Sequence, residues 1–473
     1  MASPKLSTLV ASVCAAAMIV MIPSADAQLL PDIGGGLSDV LNDVDRGIED
    51  RLEHDLDAEL EDVLDGDRVL DGIGRIVGSA EVGNTLEETL QTLGDVSGAL
   101  NGIIGMAGVP PGRSIELDEL DGWPVVRNEW VVLVPAGEAA AVEALDVEIV
   151  ERTDLTAVDR TLFIVSLTAT AATAQAVEAE LASLGADPFD RNHVFRGAAE
   201  MDASVSSSSS RPQPQPVPVP MAGSLRIGLV DTDVDETHPS LAGVDLYEAD
   251  FVSLGELRPQ GHGTAVASIM ARQTGARNDA TRELLAASAF FLGNDGTTGA
   301  TSASLIQAID WLQANGADVI NVSLTGPPNR ALEAIIQSSQ TDGTVFVAAV
   351  GNEGPASGPL YPAAYDGVIG VSAVDAAGAI YRWANRGGFV DVAARGVDVL
   401  VAKPGGAEKR DSGTSFAAPV VSAFLGGWTQ AKRIEAADPH SLIRASVSGG
   451  APDGRDDTFG YGILVPTGAR ASN

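Results

Sequence analysis

The chain has a single cysteine, Cys14, and it lies in the apolar segment at the start. Removal of that segment would leave a protein with no thiol, which excludes disulfides and cysteine-ligated metals. Basic residues are also scarce, with Lys+Arg 29 against Asp+Glu 65 and a formal net charge of -36. A surface of that sign repels nucleic acid and anionic membranes, so neither is expected as a partner. The same acidity keeps an exported protein soluble. Beyond the first residues no segment is long and apolar enough to read as a membrane span.

What is there begins with Lys5, an apolar run from Leu6 to Ile22, Pro23 and the small-residue ending Ala25-Asp26-Ala27. This pattern predicts a signal peptide over 1–27 with cleavage after Ala27. The alternative is an uncleaved anchor, because the run approaches spanning length. The expected location is secreted or periplasmic, with no membrane association after cleavage.

Residues 28–122 are expected to form an acidic, largely helical region. Leu37, Leu41, Val44, Ile48, Leu52, Leu56, Leu60 and Val63 recur at helical spacing among Asp and Glu. A solvated spacer helix fits this pattern at least as well as a binding module does. Over 123–200 the pattern becomes a compact α+β unit. Strands are expected at 130–134, 147–151 and 162–167, helices at 138–145 and 171–184, and an edge strand near Val194-Phe195. That β-α-β-β-α-β order is the split βαβ, or ferredoxin-like, arrangement.

A Ser/Pro-rich linker over 201–223, including Arg211-Pro212-Gln213-Pro214, is too polar and proline-rich to bury a core and should be extended and open to proteolysis. From 224 to 473 short apolar strands alternate with helical stretches, which predicts an α/β fold with a mainly parallel, doubly wound sheet. Ligands of such sheets sit at the carboxyl ends of the strands.

Four positions carry chemistry. Asp231 directly follows the apolar strand Ile227-Gly228-Leu229-Val230, and His262 lies in Gly261-His262-Gly263-Thr264 at the start of a helical stretch. Ser415 lies in Gly413-Thr414-Ser415-Phe416-Ala417-Ala418-Pro419, and Asn352 in Val350-Gly351-Asn352-Glu353-Gly354. Taken singly, these are a turn aspartate, a loop histidine, an N-cap serine and a turn asparagine. Together they supply the nucleophilic hydroxyl, the base, the carboxylate that orients the base, and an oxyanion donor.

With these motifs in the order Asp, His, Ser, residues 225 to about 430 resemble the catalytic domain of the subtilisin-like serine peptidases, the subtilases. The resemblance extends to Thr237-His238-Pro239-Ser240-Leu241 after the aspartate and to Val319-Ile320-Asn321-Val322-Ser323-Leu324. It implies a triad of Asp231, His262 and Ser415, an oxyanion donor in Asn352, and substrate binding at Ser323, Leu324 and Thr325. It also implies that the unit at 123–200 is a propeptide that assists folding and blocks the site until cut away. The partners would then be protein or peptide substrates and the chain's own propeptide. Calcium is implied as a structural ion by the resemblance alone, since no acidic cluster in 223–473 has a recognisable ligand spacing. Asp233 stands where relatives carry glycine and is expected to add negative charge near His262. Thr325, Val350 and Phe416 also depart from the family pattern and bear on the pocket for the substrate side chain. The competing reading is a catalytically silent subtilase scaffold that acts as a surface or binding protein through its acidic helical region.

Overall fold

The computed structural model describes residues 116–145, 147–166, 179, 188–197, 205–206, 225–252, 258–274, 282–292, 298–429, 438–449 and 454–464. The chain divides into two units, 1–99 and 100–473, and all described residues belong to the second. The amphipathic pattern at 37–63 lies outside the described residues, as does the helix expected at 171–184 apart from Ala179.

The first part holds β1 (Leu117–Leu120), β2 (Trp123–Pro135), helix α1 (Ala139–Glu143), β3 (Glu148–Leu155), β4 (Arg160–Ser166) and β5 (Phe189–Gly197). Their ladder is antiparallel, in the order β5-β2-β4-β3, with β1 added on β2. The sheet starts earlier than the hydrophobic pattern indicates. The acidic Leu117–Leu120 segment forms a strand within the stretch read as helical, because it folds back on β2 through a turn with positive φ at Asp121 and Gly122. Trp130, Val132, Phe163 and Val165 pack with Ala139 and Val142 of α1 in a small core.

The second part continues with β6 (Val205–Ser206), β7 (Leu225–Asp231), β8 (Asp245–Asp250), β9 (Arg258–Pro259), α2 (Gly261–Thr274), β10 (Arg282–Ser288), β11 (Phe290–Leu292), β12 (Thr298–Thr301) and α3 (Ser302–Ala314). There follow β13 (Val319–Val322), β14 (Leu324–Thr325), α4 (Arg330–Thr341), β15 (Val345–Ala349), β16 (Ile369–Val374), β17 (Val392–Arg395), β18 (Val399–Lys403) and β19 (Ala407–Asp411). The order closes with α5 (Thr414–Thr429), α6 (Pro439–Ser446), β20 (Val447–Ser448) and β21 (Ile463–Leu464). The main sheet runs β20-β21-β17-β16-β15-β13-β7-β10-β8, and its pairs from β21 to β8 are parallel.

Both faces of this sheet are covered, and the side-chain alternation of its strands explains why. Ile227, Leu229, Leu284, Ala286, Val345 and Val347 turn to one face, where Ala265, Val266 and Ile269 of α2 pack with Val420, Val421 and Leu425 of α5. Val230, Leu285, Ala287, Phe346 and Ala348 turn to the other, against Leu305, Ile309 and Leu312 of α3 and Leu332, Ile335 and Ile336 of α4. Thr301 caps α3 by accepting from Ser304 N at 3.1 Å, and Asn329 caps α4 by accepting from Leu332 N at 3.0 Å. The parallel, doubly wound sheet expected from the sequence is therefore present.

Candidate active site

Asp231 ends β7 in the interior of the sheet, between β13 and β10, with its carboxylate at the carboxyl edge. Its Oδ1 accepts from Thr232 N at 2.7 Å, which fixes the carboxylate against its own turn. His262 is the second residue of α2, and its Nδ1 stands 2.7 Å from Asp231 Oδ1 and 2.9 Å from Oδ2. A nitrogen facing a carboxylate carries the proton, so in the neutral imidazole Nε2 is the nitrogen with the lone pair. Close backbone approach makes this possible: a Cβ on Gly263 would lie 2.2 Å from Thr232 O, and Gly263 N donates to Thr232 Oγ1 at 2.7 Å.

Ser415 is the second residue of α5, at a helix N-terminus where N–H groups point outward and negative charge is favoured. Asn352 follows β15 through Gly351, whose φ of 105° is open to glycine alone at low cost. Its Oδ1 accepts from Thr414 N and Thr414 Oγ1, each at 3.0 Å. That pair fixes the amide's orientation and turns Nδ2 away from Thr414 as a donor. Of the buried side-chain polar atoms with no hydrogen-bond partner among the described residues, three belong to this site: His262 Nε2, Ser415 Oγ and Asn352 Nδ2. The Asp231–His262 bond is thus formed, whereas the serine–imidazole bond is not closed in this structure. Such bonds often tighten only with a substrate in place.

Beside these atoms lies a slot for extended backbone. The last residues of β5 run between two strands, with Val194 and Phe195 opposite Thr301 and Ala300 of β12. Arg196 and Gly197 stand opposite Thr325 and Leu324 of β14. Phe195 is fully buried, and a Cβ on Gly326 would sit 2.2 Å from its ring. The segment expected as an edge strand is therefore internal. Its first half pairs with β2 and its second half is covered by strands from more than a hundred residues later in the chain.

Residues 223–462, half of the chain, match the subtilase family. The chain belongs to the subtilase family. It is 37% identical over 207 residues to a thermophilic serine proteinase of Bacillus sp. (strain AK1), a match covering 41% of this chain and 50% of that protein. It is 35% identical over 209 residues to subtilisin DY of Bacillus licheniformis, covering 42% of this chain and 74% of that one. The chain thus spans half the length of the first relative and about three quarters of the second. In fold it is similar to fervidolysin from Fervidobacterium pennivorans, a keratinolytic enzyme related to subtilisin, with a TM-score of 0.57 at 18% identity over 76% of this chain and 64% of that one.

Asp233, which departs from the subtilase pattern, has a side-chain partner in Gln260. Its Oδ2 accepts from Gln260 Nε2 at 3.1 Å. Burial, with the charge and hydrogen bond of Asp233 added to it, pushes the Glu248 carboxyl well above the usual carboxylate range. Phe416 stands over the imidazole with ring centroids 5.8 Å apart, and Thr325 serves β14 through its backbone. Among the described residues no group of three or more His, Cys, Asp or Glu side chains is arranged to hold a metal ion. Sequence reasoning missed Thr414 as the residue that holds Asn352, although a hydroxyl directly before the serine was in view. It also missed Asn321, which is fully buried on β13 beside Ser323.

Proposed function

We propose that this chain is a secreted serine endopeptidase made as an autoprocessed precursor. One observation carries the reading: a base nitrogen, a hydroxyl and an amide donor are buried and without a partner among the described residues, around a formed Asp–His pair whose imidazole meets the ring of Phe416, while Thr414 binds Asn352. A substrate carbonyl engages two of them directly, its oxygen accepting from the amide and its carbon receiving the hydroxyl oxygen, while the hydroxyl proton passes to the base nitrogen. Ser415 Oγ attacks the carbonyl carbon while His262 Nε2 takes its proton, and Asp231 holds the imidazole's tautomer and stabilises the cation that forms. Asn352 Nδ2 and the Ser415 N–H receive the oxyanion. His262 then gives the proton to the leaving amine as the C–N bond breaks, and water repeats the sequence to release the acyl group. Ser323, Leu324 and Thr325 hold the substrate backbone as a further strand.

The unit at 123–200 is read as the ferredoxin-like propeptide. Supporting this are its antiparallel order β5-β2-β4-β3 and the seating of its last strand in the slot. β5 runs from Arg196 opposite Thr325 to Gly197 opposite Leu324. Its direction therefore leads the chain towards Ser323, and self-cleavage is expected in the first residues after Gly197, ahead of the proline-rich linker. Export fits the N-terminal pattern, and no helix among the described residues is long and apolar enough to cross a membrane.

The test is mass spectrometry of wild type and Ser415→Ala after incubation with a fluorophosphonate. Labelling and shortening of wild type alone within 198–223 support the reading. A folded wild type that neither labels nor shortens refutes it and turns attention to the silent scaffold.

A further inference from the structure

The carbonyl of residue i in an α-helix accepts from the N–H of residue i+4. Four residues after Ser415 stands Pro419, inside α5, and it has no N–H to give. The buried Ser415 carbonyl therefore needs a donor from elsewhere. It has one in Ser323, whose Oγ donates to Ser415 O at 3.1 Å.

That hydroxyl is itself held. Asn321 Nδ2 donates to Ser323 Oγ at 2.8 Å, which occupies a lone pair and leaves the hydroxyl proton for Ser415. Asn321 Oδ1 in turn lies 2.9 Å from Ser422 Oγ, two turns along the same helix. Reversing the amide would draw the Ser323 proton to Asn321 and strip the Ser415 carbonyl of its donor. The observed orientation serves both. Asn321, Ser323, Ser415 and Ser422 are all buried, so water cannot substitute for a lost partner.

Ser323 also directly precedes β14, the edge that pairs with Arg196 and Gly197 in the slot. Its side chain therefore joins the strand that holds a peptide backbone to the residue that attacks it. We propose that Ser323, held by Asn321, is a positioning residue that fixes the Ser415 main chain relative to the bound peptide. This rests on the serine peptidase reading. A displacement of about 1 Å between nucleophile and carbonyl costs on the order of a hundredfold in rate, and a hydrogen bond spanning the two elements limits such displacement.

Satisfying a buried carbonyl and positioning a nucleophile are separable roles. In the full-length chain, Ser323→Ala is expected to lower kcat by roughly 10- to 100-fold with KM within about twofold, because the substrate is held by backbone. Adding Pro419→Ala restores an N–H four residues after Ser415 and satisfies the carbonyl within the helix. The thermal midpoint should then recover, while kcat stays depressed relative to Pro419→Ala alone. Asn321→Asp, whose carboxylate can accept from Ser323 but not donate to it, should reproduce the kcat loss and add little in a Ser323→Ala background. Full kcat in Ser323→Ala, or recovery of kcat together with stability in the double variant, overturns the inference while wild type remains active. A wild type that does not label with fluorophosphonate overturns the peptidase reading itself, and the inference with it. Should Ser323→Ala not fold, Asn321→Asp gives the same decision through its kcat and labelling rate.

Discussion

Asn329 Nδ2 donates to His193 Nδ1 at 3.0 Å, across the contact between β5 and the start of α4. The amide cannot turn over, since its Oδ1 caps α4 through Leu332 N and its Nδ2 also donates to Arg191 O at 2.9 Å. Nδ1 of His193 must therefore be bare of hydrogen. Burial, joined by the Arg191 charge, holds His193 below its ordinary value of 6.5, against the opposing pull of Asp190, whose Oδ1 is 3.9 Å away, of the Arg191 main chain and of Asp121. The packed state thus binds fewer protons than the released one. Its stability is complete above the ordinary value and declines as pH falls from there towards the depressed one. In the Ser415→Ala precursor, protection of β5 amides relative to their intrinsic exchange rate at each pH should fall on acidification through this window, and His193→Leu should flatten the response. Equal pH dependence in both proteins would refute the assignment.

Thr414 holds the Asn352 carbonyl oxygen with both its N–H and its hydroxyl. Asn352→Ala should lower kcat by roughly two to three orders of magnitude, the usual cost of one side-chain oxyanion donor. Thr414→Val should cost about tenfold and Thr414→Ser almost nothing. In an Asn352→Ala background Thr414→Val should add little, and losses that multiply would show that the two act separately.

Gly326 faces the Phe195 ring, and any side chain there meets ring carbons at 2.2 to 2.7 Å. Gly326→Ala should weaken competition by a synthetic peptide of residues 189–197 by about tenfold or more, equivalent to about 1.4 kcal/mol. Replacing Phe195 by Ala in that peptide should weaken it against wild type and relieve the loss against the variant. Inhibition unchanged by Gly326→Ala would mean that the peptide does not seat Phe195 at this position.

His440 has the opposite sign from His193. Its Nε2 lies 3.6 Å from Asp391 Oδ1 and its Nδ1 3.5 Å from Asp438 Oδ1, while Arg455 Nη2 lies 3.0 Å from Asp391 Oδ1. The Asp391 carboxylate beside it, joined by Asp438, raises its pKa despite partial burial. This contribution is full below the ordinary value of 6.5 and is lost as pH rises through the raised one. The difference in thermal midpoint between wild type and His440→Ala should shrink from pH 5.5 to pH 8. A difference that grows would contradict the pairing.

The main sheet and the chemical residues were legible because each depends on a short run: β7 ends at Asp231, α2 opens on His262 and α5 opens on Ser415. What escaped depends on partners far apart in the chain. β5 read as an edge because nothing near Val194 announces β12 or β14 as its neighbours. Leu117–Leu120 read with the acidic helical stretch because its pairing with β2 is decided by a turn rather than by apolar alternation. The Ser323 to Ser415 bond was hidden for the same reason, although Pro419 in the serine motif already left a carbonyl in need of a donor.

The slot between β12 and β14 engages a chain through its main-chain donors and acceptors, as a sheet takes up one more strand. A segment already folded has committed those groups to its own ladder or helix and cannot offer them. Cleavage of a folded target would then be governed by how often that target opens locally, and its cut sites would trace the least protected stretches of its amide-exchange map. Selectivity of this kind resides as much in the breathing of the prey as in the pockets of the enzyme.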